Sequence, residues 1–440
     1  MYSSRMIDPS GTSVTIEPTR RVRGQLRVPG DKSISHRYAL LAAVADGTST
    51  VHNYAPGTDC AATLRCLQAL GVDIQIVQSS PNEPAPIMVV GRGRQGLRAS
   101  SSVVDAQNSG STMRLLAGIL AAHPFKTVIT GDASLRRRPM GRIVEPLQQM
   151  GAQIDTVDGC PPITISGTTL RGVSYAPPIA SAQVKGSLLL AGLYASGTTQ
   201  VTELTPTRDH TERAFSAFGV EVRREGCRVE VAGGQHPTAA SLRVPGDLSS
   251  AAFLVAAAAA LPGSELEIIN VGLNTTRTVF LDVLRAAGAH ISVQVSGTEA
   301  GEPFGTINVR QGQLGPLQID AGQVPGMIDE LPALAAMACF GEGLRVSGAA
   351  ELRTKESDRI SVLATGLRSL GGTVDETPDG FHVHPATLTG GTVDPAGDHR
   401  MAMAFAIAAL GATGPTTIMD RTAVDVSYPE FFTQLESICE

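Results

Sequence analysis

The sequence predicts an α/β fold with two similar domains, each built from three β-α-β-α-β-β units. Three observations support this prediction. The chain has 440 residues, which is more than one hydrophobic core usually serves. The string LRVPGD occurs twice, beginning at Leu26 and again at Leu242. Two helical patterns also recur along the chain, at intervals longer than those of the common solenoid repeats.

Each LRVPGD copy predicts a short strand, a Pro-Gly-Asp turn, an apolar helix, a glycine break and a second strand. In the first copy the turn leads into Lys32, Ser33 and Arg37. The first N–H groups of a helix have no partner within the helix and carry partial positive charge. Together with two cationic side chains, they predict an anion-binding site at this helix start.

Two patterns of helix define the remaining units. One is a helix that ends at a glycine before a strand, and its glycines are Gly71, Gly151, Gly219, Gly288 and Gly371. The other is an apolar helix with polar first residues, which begins near Lys32, Asn108, Ser181, Asp247, Asp329 and Asp398. Because the units are similar, their corresponding helix starts are expected to lie on one face of each domain. Two such faces, one from each domain, predict a cleft.

Composition and charge exclude several classes of protein. A net charge of −6 disfavours general nucleic-acid binding. The longest apolar runs, 251–261 and 401–410, are too short to span a membrane. A secretory signal is not expected either, because the N-terminal arginines are not followed by the apolar segment that such a signal requires. The six cysteines and nine histidines show no metal-binding spacing. We therefore expect a reduced, cytoplasmic protein with no structural metal, membrane or nucleic-acid partner.

The stretch IMVVGRGRQGL contains G-x-G-x-x-G at Gly91, Gly93 and Gly96. A dinucleotide-binding loop of this kind must open a helix. The residues that follow, RASSSVVDA, have no helical pattern. This stretch is therefore interpreted as a hairpin that closes a repeat, and nucleotide binding is not expected there.

Carboxylates accompany the cations in one basic stretch, LRTKESDRI. We expect Lys355, Glu356 and Arg359 to occupy one turn of a helix start, where Glu356 remains ionised between cations and becomes a candidate proton acceptor. Asp329, at another helix start, is a second candidate. A site rich in cations needs such carboxylates if protons are to move.

At these residues the chain resembles a known family. The strings GDKSISHR, NSGSTMR, SLRRRPMGR, SAQVK, RDHTE, PGDLSSAAF, IDELP, KESDRIS and GDHRMAM, in this order, are similar to those of the 5-enolpyruvylshikimate-3-phosphate (EPSP) synthases. The resemblance implies the enolpyruvyl transferase fold, an inside-out α/β barrel with the active site in an interdomain cleft that closes on substrate. It also implies one domain over residues 27–242 and the other over 1–26 plus 243–440.

The resemblance implies transfer of the enolpyruvyl group of phosphoenolpyruvate to the 5-hydroxyl of shikimate 3-phosphate, on the pathway to aromatic amino acids, by a monomer without a cofactor. The residues implied for shikimate 3-phosphate are Lys32, Ser33, Arg37, Ser181, Ala182, Gln183, Arg208, Asp329 and Lys355. Those implied for phosphoenolpyruvate are Lys32, Gly110, Arg138, Gln183, Lys355, Arg359 and Arg400. The residues implied in proton transfer are Asp329, Glu356 and Lys32.

Four motifs resemble the class II, glyphosate-tolerant subgroup of that family. They are G-D-K at Gly30–Lys32, S-A-Q-x-K at Ser181–Lys185, R-x-H-x-E at Arg208–Glu212 and N-x-T-R at Asn274–Arg277. Two positions depart from patterns found in the family. Val426 stands where some members carry a lysine, and Gly110 stands where some tolerant members carry an alanine.

Two alternatives remain open at this point. The sister enolpyruvyl transferase of cell-wall synthesis acts on a UDP-sugar, but its Lys-Asn pair is absent, because Ser33 follows Lys32, and no cysteine lies between Cys66 and Cys160. The other alternative is a non-catalytic anion-binding repeat protein, which would keep the cations without needing Asp329 and Glu356. Phosphate release from the two substrates would separate these alternatives.

Overall fold

The computed structural model of the chain describes residues 11–77 and 84–440. The chain forms two compact units. The N-terminal unit comprises Gly30–Pro245 and Thr298–Glu302. The C-terminal unit comprises Gly246–Gly297, Pro303–Glu440 and the described part of the segment that ends at Pro29. Residues 1–10, which the sequence assigns to the second domain, lie outside the described residues.

The first half of the chain contains two short strands followed by three repeats. Its first elements are β1 (Val14–Ile16), β2 (Arg23–Arg27), α1 (Lys32–Val44), β3 (Asp46–His52), α2 (Thr58–Ala69), β4 (Asp73–Ile76) and β5 (Ile87–Arg92). The second repeat contains β6 (Val104–Asp105), α3 (Gly110–Leu120), β7 (Lys126–Thr130), α4 (Gly141–Gln149), β8 (Gln153–Val157) and β9 (Cys160–Ser166). The third contains β10 (Ser174–Tyr175), α5 (Ala182–Gly192), β11 (Thr198–Thr202), α6 (His210–Ala217), β12 (Val222–Glu225) and β13 (Arg228–Ala232).

The second half repeats this order of elements. It begins with β14 (Ser241–Arg243), α7 (Leu248–Ala260), β15 (Glu265–Gly272), α8 (Val279–Ala286), β16 (His290–Glu299) and β17 (Glu302–Arg310). It continues with β18 (Leu317–Ile319), α9 (Val324–Met327), α10 (Leu331–Ala338), β19 (Leu344–Val346), α11 (Arg359–Ser369), β20 (Thr373–Thr377) and β21 (Gly380–His384). It ends with β22 (Gly391–Val393), α12 (His399–Leu410), β23 (Thr416–Ile418) and α13 (Phe431–Ile438).

Five of the six sheets in the described residues have four strands and the same arrangement. Their strand orders are β14-β3-β5-β4, β6-β7-β9-β8, β10-β11-β13-β12, β16-β17-β15-β2 and β18-β19-β21-β20. Each contains one parallel pair, such as β6 with β7, and an antiparallel hairpin, such as β8 with β9. The predicted α/β fold is confirmed, and it repeats the predicted unit.

The two LRVPGD copies exchange their first strands. Strand β2, before the first Pro-Gly-Asp turn, pairs in parallel with β15, which follows the second helix α7. Strand β14, before the second turn, pairs in parallel with β3, which follows α1. Each turn therefore carries the chain from one unit into the other. A methyl group on Gly30 would collide with the Asn53 carbonyl, so the turn requires glycine.

The last repeat differs from the other five. Its sheet has three strands, in which β22 pairs in parallel with β23 and β1 pairs with β23 in antiparallel fashion. Helix α13 follows β23 as α4 follows β7, but β1 takes the place beside β23 that a hairpin strand takes in the other sheets. The prediction of six β-α-β-α-β-β units is therefore corrected for the last one, because the N-terminal strand β1 completes its sheet.

The glycines that follow α2, α4, α6, α8 and α11 have the predicted conformation. All five have positive φ angles, of +86° at Gly71, +102° at Gly151, +76° at Gly219, +109° at Gly288 and +89° at Gly371. After α2, the Gly71 N–H donates to the Gln68 carbonyl and the Val72 N–H donates to the Leu67 carbonyl. These bonds satisfy the last carbonyls of the helix and turn the chain into the next strand.

Each unit has its own hydrophobic core, formed around three central helices. In the N-terminal unit these are α1, α3 and α5, and in the C-terminal unit they are α7, α10 and α12. Helix α7 is buried on every side apart from its last residue, which explains why its sequence is entirely apolar after Ser250. The surrounding strands alternate buried residues with half-buried or exposed ones, as in β9 and β15. No helix within 11–77 or 84–440 is long and apolar enough to cross a membrane.

The G-x-G-x-x-G stretch does not open a helix. Strand β5 ends at Arg92, and Gly93 and Gly96 lie in a turn in which the Gly96 N–H donates to the Gly93 carbonyl. Residues 97–103 are not helical. The interpretation of this stretch as the end of a repeat agrees with the structure.

Replacing Gly151 by alanine should destabilise the N-terminal unit by about 1–2 kcal/mol, because a side chain there must adopt a left-handed conformation. Gly141→Ala is the matched control, since it lies in the first turn of α4, where its methyl would make only an ordinary contact. Urea unfolding of both variants measures the difference. Equal midpoints would contradict the role given to the φ angle.

Candidate active site

The central helices of the N-terminal unit begin with side-chain caps. Asp31, Ser109 and Ser181 each accept a hydrogen bond from the backbone N–H three residues later, at 2.9, 3.2 and 3.4 Å respectively. These short polar residues are typical N-caps because they satisfy one N–H that has no helical partner. The caps fix where α1, α3 and α5 begin, and Lys32, Gly110 and Gln183 lie in the first turns of these helices.

Hydrogen bonds between helices bring the three starts together. Arg37 on α1 donates from Nε to the Thr211 hydroxyl on α6, at 2.7 Å. Arg114 on α3 donates to the Gln183 side-chain carbonyl on α5, at 2.6 Å. The Gln183 amide in turn donates to the Ser111 hydroxyl, at 2.9 Å. Gln183, two residues after the Ser181 cap, therefore contacts a cation of the neighbouring helix α3.

His36 supports this arrangement from below. Its Nδ1 lies 2.7 Å from the Thr63 hydroxyl, which lies 2.6 Å from the Thr112 hydroxyl. This chain of polar groups links α1, α2 and α3. Burial, together with the positive charges of Lys32 and Arg37, lowers the pKa of His36 to about 3. The imidazole is therefore neutral at physiological pH and adds no charge beneath the cations.

The cations at the helix starts are held by polar partners of the same unit. Lys32 Nζ lies 3.0 Å from Asp59 Oδ2, at the start of α2. Arg138 donates to the Asn108 side-chain oxygen at 2.7 Å and to the Ser134 hydroxyl at 3.2 Å. These contacts keep the charged groups in place before any ligand arrives, which reduces the ordering cost of binding.

Gly110 lies next to two of these guanidinium groups. A methyl group at this position would stand 2.9 Å from the NH1 atom of Arg114 and 3.3 Å from that of Arg138. A side chain here would therefore push against the cations. Gly110 and Arg138, both implied for phosphoenolpyruvate by the family resemblance, are thus close neighbours.

Arg37 and Arg208 lie near each other. Burial lowers the pKa of Arg37 to about 10, and the positive charge of Arg208 contributes, whereas Glu212 opposes the shift. The guanidinium also donates to the Ser33 carbonyl at 2.8 Å. Arg37, Ser33 and Arg208 therefore lie close together. Two like charges near each other, that of Arg37 buried and that of Arg208 partly buried, favour an anionic ligand.

Lys185, the last residue of the S-A-Q-x-K motif, lies near the start of α5 but faces other protein groups. Its ammonium is fully buried, 2.9 Å from Glu203 and 2.7 Å from Glu212. The oxygens that it contacts are therefore those of the protein. The sequence did not indicate this pairing because Glu203 lies in a different stretch of the chain.

In the C-terminal unit, Arg359 is the centre of the charged groups. Its side chain is 2% exposed and donates to Asp398 at 2.8 Å, to Glu356 at 2.6 Å and to Asp329 at 3.3 Å. Burial opposes the charge of this guanidinium, but the three carboxylates outweigh burial and raise its pKa above the usual value. Arg359 thereby holds the two predicted proton acceptors, Asp329 and Glu356, beside one another.

Two further predicted cations lie near these carboxylates or along the same loop. Arg400, in the first turn of α12, donates from NH1 to the Asp329 carbonyl at 3.0 Å, and its Nε lies 3.5 Å from the Asp329 carboxylate. Lys355 donates to Glu351 at 2.9 Å. The structure therefore brings Asp329, Glu356, Arg359 and Arg400 together.

Lys355 and Glu356 do not lie in the helix start that the sequence predicts. They follow a 3-10 segment, Ala350–Thr354, and α11 begins only at Arg359. The reason is Asp358, whose carboxylate accepts from the Ser361 N–H at 3.1 Å and caps the helix. The loop position allows the Glu356 side chain to reach Arg359.

A second buried network in this unit was not assigned a role from the sequence. Arg277, the last residue of the N-x-T-R motif, lies 3.6 Å from Asp247 and 3.7 Å from Glu330. It also donates to Ser249, which in turn donates to Glu330. These contacts join the starts of α7 and α10. In the sequence, the N-x-T-R motif pointed to Arg277, but it did not identify the acidic residues that Arg277 contacts.

Val426 ends a 3-10 segment, Arg421–Val426, and offers no charge. The nearby Arg421 donates from Nε to the Gly11 carbonyl, at 2.8 Å. This arginine therefore ties the N-terminal segment to the C-terminal one.

The two clusters combine cations, helix N-termini and carboxylates in the way that suits phosphorylated or carboxylated ligands. A protein-family model described as EPSP synthase (3-phosphoshikimate 1-carboxyvinyltransferase) matches residues 16–435. The chain belongs to the EPSP synthase family. Membership of this family excludes the alternative that the chain is an unrelated anion-binding repeat protein.

Relatives and solved structures agree with membership of the EPSP synthase family. The 3-phosphoshikimate 1-carboxyvinyltransferase of Desulforudis audaxviator is 47% identical over 430 residues, covering 97% of this chain and 99% of the relative. That of Bacillus cereus is 45% identical over 431 residues, with the same coverage. The EPSP synthase structure from Acinetobacter baumannii is 41% identical, with a TM-score of 0.84 over 97% of this chain and 98% of that one.

Replacing Lys185 by methionine should destabilise the N-terminal unit by about 3–5 kcal/mol, because two buried carboxylates lose their counter-ion. The matched control is Lys126→Met, since Lys126 is exposed and should change stability by about 0.5 kcal/mol or less. Urea unfolding measures both variants. Similar stabilities of the two variants would contradict this account.

Proposed function

We propose that this member of the EPSP synthase family transfers the enolpyruvyl group of phosphoenolpyruvate to the 5-hydroxyl of shikimate 3-phosphate and releases phosphate. The reaction belongs to the pathway to aromatic amino acids. The observation that carries the proposal is the full-length family match together with the Arg359 cluster, which places two carboxylates at one cation. A cationic site with proton acceptors suits a transfer between two anions.

Electrostatics explains why such a reaction needs so many cations. Two unit charges 6 Å apart repel by about 3 kcal/mol at an effective dielectric constant near 20. Two phosphorylated substrates therefore disfavour each other unless fixed positive charges compensate them. Arginine can contact two phosphate or carboxylate oxygens at once, which gives orientation as well as charge.

The proposed binding residues follow from their positions and from the family resemblance. For shikimate 3-phosphate they are Lys32, Ser33, Arg37, Ser181, Ala182, Gln183, Arg208, Asp329 and Lys355. For phosphoenolpyruvate they are Lys32, Gly110, Arg138, Gln183, Lys355, Arg359 and Arg400. The side chain of Arg359 already donates to carboxylates of the protein, so an anionic ligand would replace one of these acceptors.

Proton transfer is proposed for Asp329, Glu356 and Lys32. Asp329 would accept the proton of the 5-hydroxyl as its oxygen attacks C2 of phosphoenolpyruvate. Glu356, carrying a proton supplied with the help of Lys32, would deliver it to the methylene carbon in the addition step and take one back when phosphate leaves. The proton held by Asp329 would pass to the departing phosphate, which leaves as HPO4²⁻, so protons and charge balance over the two steps and the double bond is restored. Arg359 would keep both carboxylates oriented.

Replacing Lys32 by methionine should reduce phosphate release by at least about a hundredfold, since the change removes the ammonium but keeps side-chain length. Lys126→Met should retain parental activity, because that lysine lies on the exposed side of β7. A coupled assay with both substrates measures each variant, and circular dichroism verifies the fold. Activity of Lys32→Met within tenfold of the parent would contradict the assignment.

The same assay tests the alternative substrate. UDP-N-acetylglucosamine should support no phosphate release when it replaces shikimate 3-phosphate. Turnover with the UDP-sugar alone would overturn the proposed substrate. The assay includes a chelator, because we propose that the reaction needs no cofactor.

We also propose that the chain belongs to the class II, glyphosate-tolerant subgroup and acts as a cytoplasmic monomer. The four motifs from Gly30 to Arg277 support the subgroup. Light scattering on the purified protein tests the monomer, and fractionation of cells tests the location. A dimeric mass, or recovery outside the cytoplasm, would refute the respective proposal.

Replacing Gly110 by alanine should raise the inhibition constant of glyphosate by a larger factor than the Michaelis constant of phosphoenolpyruvate. The added methyl would press on Arg114 and Arg138, and overfilling a packed site costs about 1–3 kcal/mol, or about five- to more than hundredfold in affinity. The longer inhibitor should lose more than the shorter substrate. Inhibition kinetics on Gly110→Ala, with Gly141→Ala as control, measure both constants. If both constants rose by the same factor, Gly110 would not distinguish the inhibitor from the substrate, and its proposed place beside the inhibitor would be wrong.

A further inference from the structure

A group of three possible metal ligands lies on the β20–β21 hairpin, apart from the residues discussed above. Asp375 on β20 stands opposite His382 on β21, and His384 lies two residues further along β21. Residues two apart on a strand face the same side, so both imidazoles emerge on the face that carries Asp375. Phe381 and Val383 point the other way, into the core.

The donor atoms of these residues are close together. His384 Nε2 lies 2.7 Å from Asp375 Oδ2, and His382 Nδ1 lies 4.0 Å from the same oxygen. The two imidazole rings have centroids 3.9 Å apart. One ligand atom from each residue lies within 4.8 Å of the other two. In the described residues this is the one group of three or more such side chains with that spacing.

We propose that Asp375, His382 and His384 bind a divalent transition-metal ion of the Zn²⁺, Ni²⁺ or Cu²⁺ class. Tetrahedral ligands at Zn–N distances of 2.0–2.1 Å stand about 3.3 Å apart. The distances of 2.7 and 4.0 Å lie on either side of this value. Small rotations of the partly exposed side chains bring the donors to a common centre.

The kind of donor selects the class of ion. Imidazole nitrogen suits zinc, nickel and copper, whereas magnesium and calcium prefer sites made of oxygen. The carboxylate supplies the negative charge that compensates the ion. The bond between Asp375 and His384 already orients that ring, so the hairpin provides two of the three ligands in a nearly assembled form. Water would complete the coordination.

One neighbouring cation gives the proposal an additional test. Arg345 on β19 stands opposite His382 on the side away from β20. Its positive charge repels a bound ion. Removing that charge should therefore strengthen binding, which is the opposite of what removing a ligand does.

Titration of the untagged protein with Zn²⁺, followed by calorimetry, tests the site. We expect one ion per chain, and at least about a tenfold loss of affinity in both His382→Ala and His384→Ala. The control is the double variant His236→Ala/His290→Ala, which removes two exposed histidines elsewhere and should bind like the parent. Mg²⁺ should produce no binding at the same concentrations.

Two further measurements make the outcome specific. Arg345→Gln should bind Zn²⁺ more tightly than the parent. The electron paramagnetic resonance spectrum of the Cu²⁺ complex should show coupling to two imidazole nitrogens, and the double variant His382→Ala/His384→Ala should lose that coupling. The proposal is overturned if Zn²⁺ does not bind, or if the His236/His290 control weakens binding as much as loss of the hairpin histidines. Turnover plays no part in these readouts, so they are independent of the proposed reaction.

Discussion

The pairing of buried charges across helices is the interaction on which the two candidate sites depend. A guanidinium or ammonium buried at a helix N-terminus is unfavourable, because both the low dielectric and the helix dipole oppose it. Carboxylates and amides from neighbouring helices compensate the cost of burying these cations. Arg359 joins residues before α10, α11 and α12, and Lys185 joins α5 to α6 and to the loop after β11. These bonds orient the helix starts, and those of Arg359 favour its charged form.

The strand exchange between the two LRVPGD copies makes the repeats interdependent. Because β2 completes the sheet of β15, the C-terminal unit cannot form its full set of sheets from one continuous segment, whereas β14 completes the sheet of β3 from within Gly30–Pro245. The first described strand, β1, likewise completes the sheet of β22 and β23. Contacts so distant in sequence form only when much of the chain is in place, which is expected to slow folding.

The residues of the candidate site were predictable to different degrees. Lys32, Arg37 and Arg400 could be placed because each occurs beside a glycine- or aspartate-marked helix start. Their partners could not be placed in the same way. Asp59, Glu203 and Asp398 are acidic residues from other parts of the chain, and only packing shows which cation each one holds. The group of possible metal ligands on β20 and β21 could not be predicted for the same reason, since only strand pairing brings Asp375 next to the two histidines.

The sequence by itself determined the α/β class, the repeat, the helix boundaries at aspartate caps and positive-φ glycines, and the family. Each of these is encoded locally, in caps, turns and apolar periodicity, or in motifs that stay in order along the chain. Tertiary structure alone decided which strand joins which sheet and which charges meet. The physical reason is that parallel strand pairing and buried ion pairs join residues far apart in the chain. No local pattern specifies their partners.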